Sequence, residues 1–191
     1  MHKKILGISM LAVMLVFSLV GCGHHNSTTP TAETDNTQKS ETNTVSDARL
    51  YDKFLSIKLG SSYEEINTIL GQTGIEDDSS SDHTAYEWTF GNDSIYIEFD
   101  KKDQKAYSKS QLIFSKTAEV KDLTLEKYKK IETGMSYEDV KKLIGKDGML
   151  TCENNIQNLT KIYSWTNKND AILTVTFEDD AVVSKEQSDL K

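Results

Sequence analysis

Apolar positions along the chain fall into three regimes. From Ile5 to Val20 they form one run, interrupted only by Gly7, Ser9 and Ser18. From 23 to 47 they nearly vanish, leaving Ala32 and Val45 among ten Ser or Thr residues. From 48 to 191 they return with two alternating periods. Ile66, Ile69 and Leu70 share one face of a helix, and Val140, Leu143 and Ile144 share another. Ser62 with Glu65, and Ser136 with Asp139, read as capping boxes at the starts of these helices, and Gly71 and Gly145 as their ends. A shorter helix precedes each, carrying Leu50, Phe54 and Leu55 in one case and Leu125, Tyr128 and Ile131 in the other, with Gly60 and Gly134 in the turns. Beyond the helices the period becomes two: Tyr86, Trp88 and Phe90, then Ile95, Ile97 and Phe99, alternate with polar neighbours. Gly91-Asn92-Asp93 reads as the hairpin turn between them, and a third strand runs near 106–114.

The second half repeats the first. Gly60-Ser-Ser-Tyr-Glu-Glu-Ile-Asn-Thr-Ile-Leu-Gly71 aligns with Gly134-Met-Ser-Tyr-Glu-Asp-Val-Lys-Lys-Leu-Ile-Gly145, with five of twelve positions identical. Gly74 matches Gly148, Tyr86/Trp88 match Tyr163/Trp165, and Ile95/Ile97/Phe99 match Leu173/Val175/Phe177. A third strand of the second copy falls at 181–185. Tandem self-similarity of this order predicts an α+β fold of two helix-helix-strand-strand-strand units, 48–118 and 119–191. The helices should cover one face of each antiparallel sheet and leave the other open. Trp88 and Trp165 have the phase of the helix side. Glu87, Thr89, Tyr96, Glu98, Ser164, Thr174 and Thr176 have the phase of the open side.

The first two regimes concern location. His2, Lys3 and Lys4 precede an apolar run too short for a spanning helix, so residues 1–21 read as a signal peptide. Leu19-Val20-Gly21-Cys22 resembles a bacterial lipobox. That resemblance implies lipidation of Cys22, with acyl chains such as palmitate, and a mature N-terminus at that residue. Residues 22–47 lack the apolar content to offset the entropy of ordering and read as a tether. Such a coil reaches about 25–30 Å.

The net charge of −8 argues against nucleic acid and against electrostatic adhesion to anionic lipid. Candidate chemistry is sparse. Of the four histidines only His83 falls in the repeats, in a polar loop 77–83 beside Asp82, where solvation explains it. Cys152 has no histidine in its own unit to activate it and reads as a half-buried structural thiol. The carboxylates of Glu76-Asp77-Asp78 and of the 100–103 turn lack calcium-loop spacing, and no phosphate-binding glycine loop occurs. The reading is of a protein that is not an enzyme and uses no metal or other cofactor.

The succession aromatic-x-x-Ile-x-x-Gly-Met-Ser-x-x-x-Val-x-x-Leu-x-Gly, present in tandem form, resembles the β-lactamase-inhibitor-protein (BLIP)-like fold. It is also similar to small envelope lipoproteins of the SmpA/OmlA type, which carry one such unit. The resemblance spans about 48–191. It implies binding of a protein through the open sheet faces and a hairpin loop, here Gly91-Asn92-Asp93. It also implies a disulfide in each unit, whereas only Cys152 stands at a comparable place. Asn92, Asp93, Tyr96 and Glu98 are the partner-binding candidates. The expected function is that of a monomeric, lipid-anchored, non-catalytic protein-binding module on the extracytoplasmic face of the cell membrane, with an envelope protein as partner. Two alternatives stand beside it: an inhibitor of a β-lactamase or penicillin-binding enzyme, and an accessory or sensing lipoprotein of an envelope assembly or stress system.

Overall fold

The computed structural model describes residues 46–114 and 117–191. Residues 1–21, read above as a signal peptide, Cys22, and all but the last residues of the stretch read as a tether lie outside the described residues. Each copy of the repeat opens with two helices: α1 (Ser46–Ser56) and α2 (Tyr63–Leu70) in the first, α3 (Leu125–Lys130) and α4 (Tyr137–Ile144) in the second. Both capping boxes form as the sequence predicts. The Ser62 and Ser136 hydroxyls accept the amides of Glu65 and Asp139, whose carboxylates take the cap amides in return. Gly71 and Gly145 end the helices at φ 80° and 93°, the left-handed region where a side chain would be strained.

Each unit carries four strands, one more than the sequence pattern predicts: β1 (Ile75–Ser79), β2 (His83–Phe90), β3 (Asp93–Asp100) and β4 (Ala106–Leu112), then β5 (Met149–Asn155), β6 (Leu159–Thr166), β7 (Ile172–Glu178) and β8 (Ala181–Ser188). The acidic stretch 76–78, read as loop, lies in β1, and His83 is the first residue of β2. All five β1 residues are exposed, so backbone pairing to β2 holds the strand without a buried face to mark it. The eight strands form one sheet in sequence order, every neighbouring pair antiparallel. The two units therefore share a sheet, and β4 and β5 join it through the pairs Ser108–Asn154, Lys109–Glu153 and Ser110–Cys152.

The core lies on the helix side, in two clusters. One gathers Phe54, Ile57, Ile66, Leu70, Trp88, Ile95, Ile97 and Phe99; the other gathers Ile131, Val140, Ile144, Trp165, Leu173, Val175 and Phe177. Leu55, expected inside, is 45 % exposed. Leu150 of the second unit belongs to the first cluster, and Met149 and Tyr163 pack against both. The seam is tied further by Tyr51, whose hydroxyl accepts the Leu150 amide at 2.8 Å.

The repeat also duplicates its polar ties. Lys53 Nζ donates to Leu70 O at 2.8 Å, and Lys127 Nζ to Ile144 O at 2.9 Å, each joining one helix of a pair to the end of the other. Lys109 Nζ donates to Phe54 O and Ile57 O at 3.2 and 2.6 Å, and lies over the Phe54 ring. Lys185 Nζ does the same to Tyr128 O and Ile131 O, both at 2.7 Å, over the Tyr128 ring. A cation at helix-terminal carbonyls is favourable, and here it fastens each first helix to the last strand of its own unit. Lys109 has one partner that Lys185 lacks among the described residues: the Glu153 carboxylate at 3.1 Å.

Candidate functional site

Because partners across an antiparallel pair share a face, register alone defines the open side of the sheet. In the first unit it carries Glu87 opposite Tyr96, Thr89 opposite Ser94, and Ala85 opposite Glu98, then Ser108, Ser110 and Leu112 on β4. In the second unit it carries Ile162 opposite Thr176, Ser164 opposite Thr174, and Thr166 opposite Ile172, with Ser184 and Glu186 on β8. Every open-side position named from sequence falls where its phase puts it. Both tryptophans are wholly buried on the other side.

The two halves of this face differ. The second is built chiefly of hydroxyls and aliphatic groups, with Glu178 and Glu186 as its carboxylates and with Ser164 and Thr174 sharing a hydrogen bond at 3.3 Å. The first holds two tyrosines among carboxylates. Tyr96 has its phenol pushed up first by burial, then by the charges of Glu98, Asp77, Asp78 and Glu87. Tyr107 is pushed up to about 12 by burial, then by Glu98, as a charge and as a hydrogen-bond partner, and further by Tyr96 and Asp100. Both phenols therefore stay protonated and available as donors at physiological pH.

Tyr107 was not a sequence candidate. Between Glu98 and Phe99 the β3–β4 register slips, so that Glu98 faces Ser108 while Phe99 faces Ala106. The extra residue is Tyr107, and the bulge sets it beside Glu98 rather than in strict alternation. Only the bulge, which has no marker in the sequence, could have placed it.

The four named candidates separate. Tyr96 and Glu98 stand on the open side, half-buried. Asn92 is exposed in the two-residue turn Gly91–Asn92 that joins β2 to β3. Asp93 is instead the first residue of β3, 7 % exposed, and its Oδ1 accepts the Phe114 amide at 3.0 Å. That bond ties the chain just beyond β4 to the hairpin, so the carboxylate has a role within the fold.

Chemistry elsewhere is structural. The His83 ring takes Ser80 Oγ at 2.8 Å and lies 3.6 Å from Asp78. Asp100 Oδ1 accepts the amide of Lys102 inside its own turn. Cys152 is a free, half-buried thiol on the open side opposite Ser110, and burial raises its pKa, which holds it as the weakly nucleophilic thiol. Tyr63 donates to Gly74 O, while Tyr137 bonds to Asp147 and accepts the Gly148 amide, so both pack at the helix–strand junctions.

The family profile described as Beta-lactamase inhibitor (BLIP) matches the chain twice, over residues 50–137 and 124–191. A search of curated proteins finds no match. Among solved structures, one from Streptococcus mutans, whose designation as a beta-lactamase inhibitor protein is itself provisional, superposes with a TM-score of 0.60 at 18 % identity. The alignment covers 76 % of this chain and 98 % of that one.

Proposed function

Because this chain belongs to the beta-lactamase inhibitor (BLIP) family, we propose that it is a non-catalytic protein-binding module. It acts through the open side of its sheet and is held at the cell envelope by lipid on Cys22. The observation that carries the binding half is the division of the sheet. Helices and both core clusters take one side, and the other keeps two tyrosines and a field of carboxylates and hydroxyls uncovered. Tyrosine is a preferred anchor in protein interfaces, because it offers a large rigid contact and a polar tip.

The envelope half rests on the lipobox-like Leu19-Val20-Gly21-Cys22 and the polar stretch after it. Acyl chains contribute about 0.8 kcal/mol per buried methylene, enough for two long chains to anchor stably. The Cys22→Ser protein is expected to move from the membrane fraction to the soluble or secreted fraction. Retention at the membrane would refute lipid anchoring.

The binding half is tested by photo-activated cross-linkers in intact cells, placed on the open side and on the helix side. Adducts from the open side alone support it; adducts from the helix side alone overturn it. The inhibitor reading is favoured by one observation in particular, the second open-side tyrosine that the bulge supplies. Capture of a β-lactamase or penicillin-binding enzyme would make that reading the specific one.

A further inference from the structure

We propose that the segment seated on the first half of the open side is a lysine- or arginine-rich stretch of the partner protein. This rests on the open side being the binding surface, and adds the chemistry of what it takes.

Charge divides unequally across the sheet. The strands contain three lysines, Lys109, Lys161 and Lys185. Each stands opposite a core-side residue (Ile97, Phe177 and Val175 in turn), so all three belong to the helix side. The open side carries Asp78, Glu87, Glu98 and Asp100 in the first unit and Glu178 and Glu186 in the second, with no lysine or arginine from any strand. Glu87 and Glu98 enter no ion pair among the described residues, whereas carboxylates on the helix side do, Glu153 with both Lys109 and Lys161. Charge is thus segregated by face: Asp78 has the His83 ring at 3.6 Å, and Glu87 and Glu98 are left without counterions among the described residues.

The tyrosines set the kind of cation that fits. A guanidinium or ammonium arriving between Tyr96 and Tyr107 meets a carboxylate acceptor at Glu98 or Glu87 and an aromatic face beside it. Arginine satisfies both contacts at once through its planar fork. A second copy presenting this same face would set carboxylate against carboxylate, so self-pairing here is disfavoured. Phosphate-bearing ligands are repelled on the same ground.

The test uses the full chain in detergent micelles with a fluorescent nona-arginine peptide as probe and nona-glutamate for comparison. Glu87→Gln with Glu98→Gln keeps shape and hydrogen bonding while removing two open-side charges. Glu64→Gln with Glu132→Gln removes the same net charge from exposed positions outside the sheet. The open-side pair is expected to weaken nona-arginine binding about tenfold, and the second pair less than about twofold. Binding should fall as salt is raised and should be absent for nona-glutamate. Equal losses for the two pairs, or no binding of nona-arginine at low salt, would overturn the proposal. The same open-side pair, introduced into the cross-linking experiment, separates the two claims. Open-side adducts of undiminished yield would refute the basic partner while leaving the binding module standing. Absence of open-side adducts from the unsubstituted protein would remove the module itself.

Discussion

Gly74→Ala and Gly148→Ala are each expected to destabilise the protein by about 3 kcal/mol, the upper end of what overpacking a core costs. A Cβ on Gly74 would lie 2.5 Å from Trp88 Cε2, and one on Gly148 would lie 2.6 Å from Trp165 Cζ2. Neither ring can retreat cheaply. Trp88 is wholly buried and donates to Asn67 Oδ1 at 2.9 Å and to Gln72 O at 3.2 Å. Trp165 is equally buried and donates to Lys146 O at 2.9 Å. Yielding to the new methyl means breaking these bonds or opening the core. Gly60 and Gly134 supply the control, since a Cβ at either would meet nothing within 4 Å and only their φ of 89° asks for glycine. Alanine there should cost about 1 kcal/mol, the ordinary penalty of left-handed backbone. Thermal unfolding followed by circular dichroism should show a melting temperature lowered by about 6–12 °C for the close-approach glycines. Values for Gly74→Ala no larger than for Gly60→Ala would contradict this account of the repeat.

The second large effect is expected at the seam. Lys109 is 2 % exposed, with Glu153 of the other unit as its counterion and two helix-end carbonyls as its remaining partners. Glu153→Ala leaves an ammonium buried with carbonyls alone and should cost about 3 kcal/mol. Lys109→Met leaves Glu153 with Lys161 alone and the Phe54 and Ile57 carbonyls without their donor, and should cost about 2 kcal/mol. The double variant Lys109→Met/Glu153→Leu should cost clearly less than the two singles added, by at least about 1 kcal/mol in a denaturant-unfolding cycle. Strict additivity would show that the pair does not couple the units. Burial, opposed by Glu153, holds the Lys109 pKa below the ordinary lysine value. The unfolded chain then binds this proton more tightly, so the contribution of Lys109 to stability rises with pH across that interval.

Much of the fold was legible because its signals are local. Capping boxes, glycine stops and the two apolar periods each need only a few residues, and the copies report them twice. The faces of Trp88, Trp165, Tyr96 and Thr174 followed from alternation alone. What escaped is non-local. β1 has no buried face to give it a period, and β5 is marked chiefly by its pairing at the seam. The fusion of two sheets into one depends on three residue pairs across that seam. The Lys109 and Lys185 ties join residues more than fifty positions apart and look like ordinary surface charge in the sequence. Asp93 reads as a turn residue from its neighbours, and only the approach of Phe114 shows what its carboxylate does. Tyr107 depends on a one-residue slip of register. The site was therefore half visible: its face and the carboxylates Glu87 and Glu98 on it could be predicted, but neither its second tyrosine nor the confinement of the strand lysines to the other side could.

The most direct test of the central claim compares the two sides of one sheet in intact cells. Cross-linking side chains placed at Tyr96, Ser164 and Thr174 read the open side, and one at Lys129 on α3 reads the helix side. A discrete protein adduct is expected from the three open-side positions and none from Lys129. Adducts from Lys129 with none from Tyr96, Ser164 or Thr174 would contradict it.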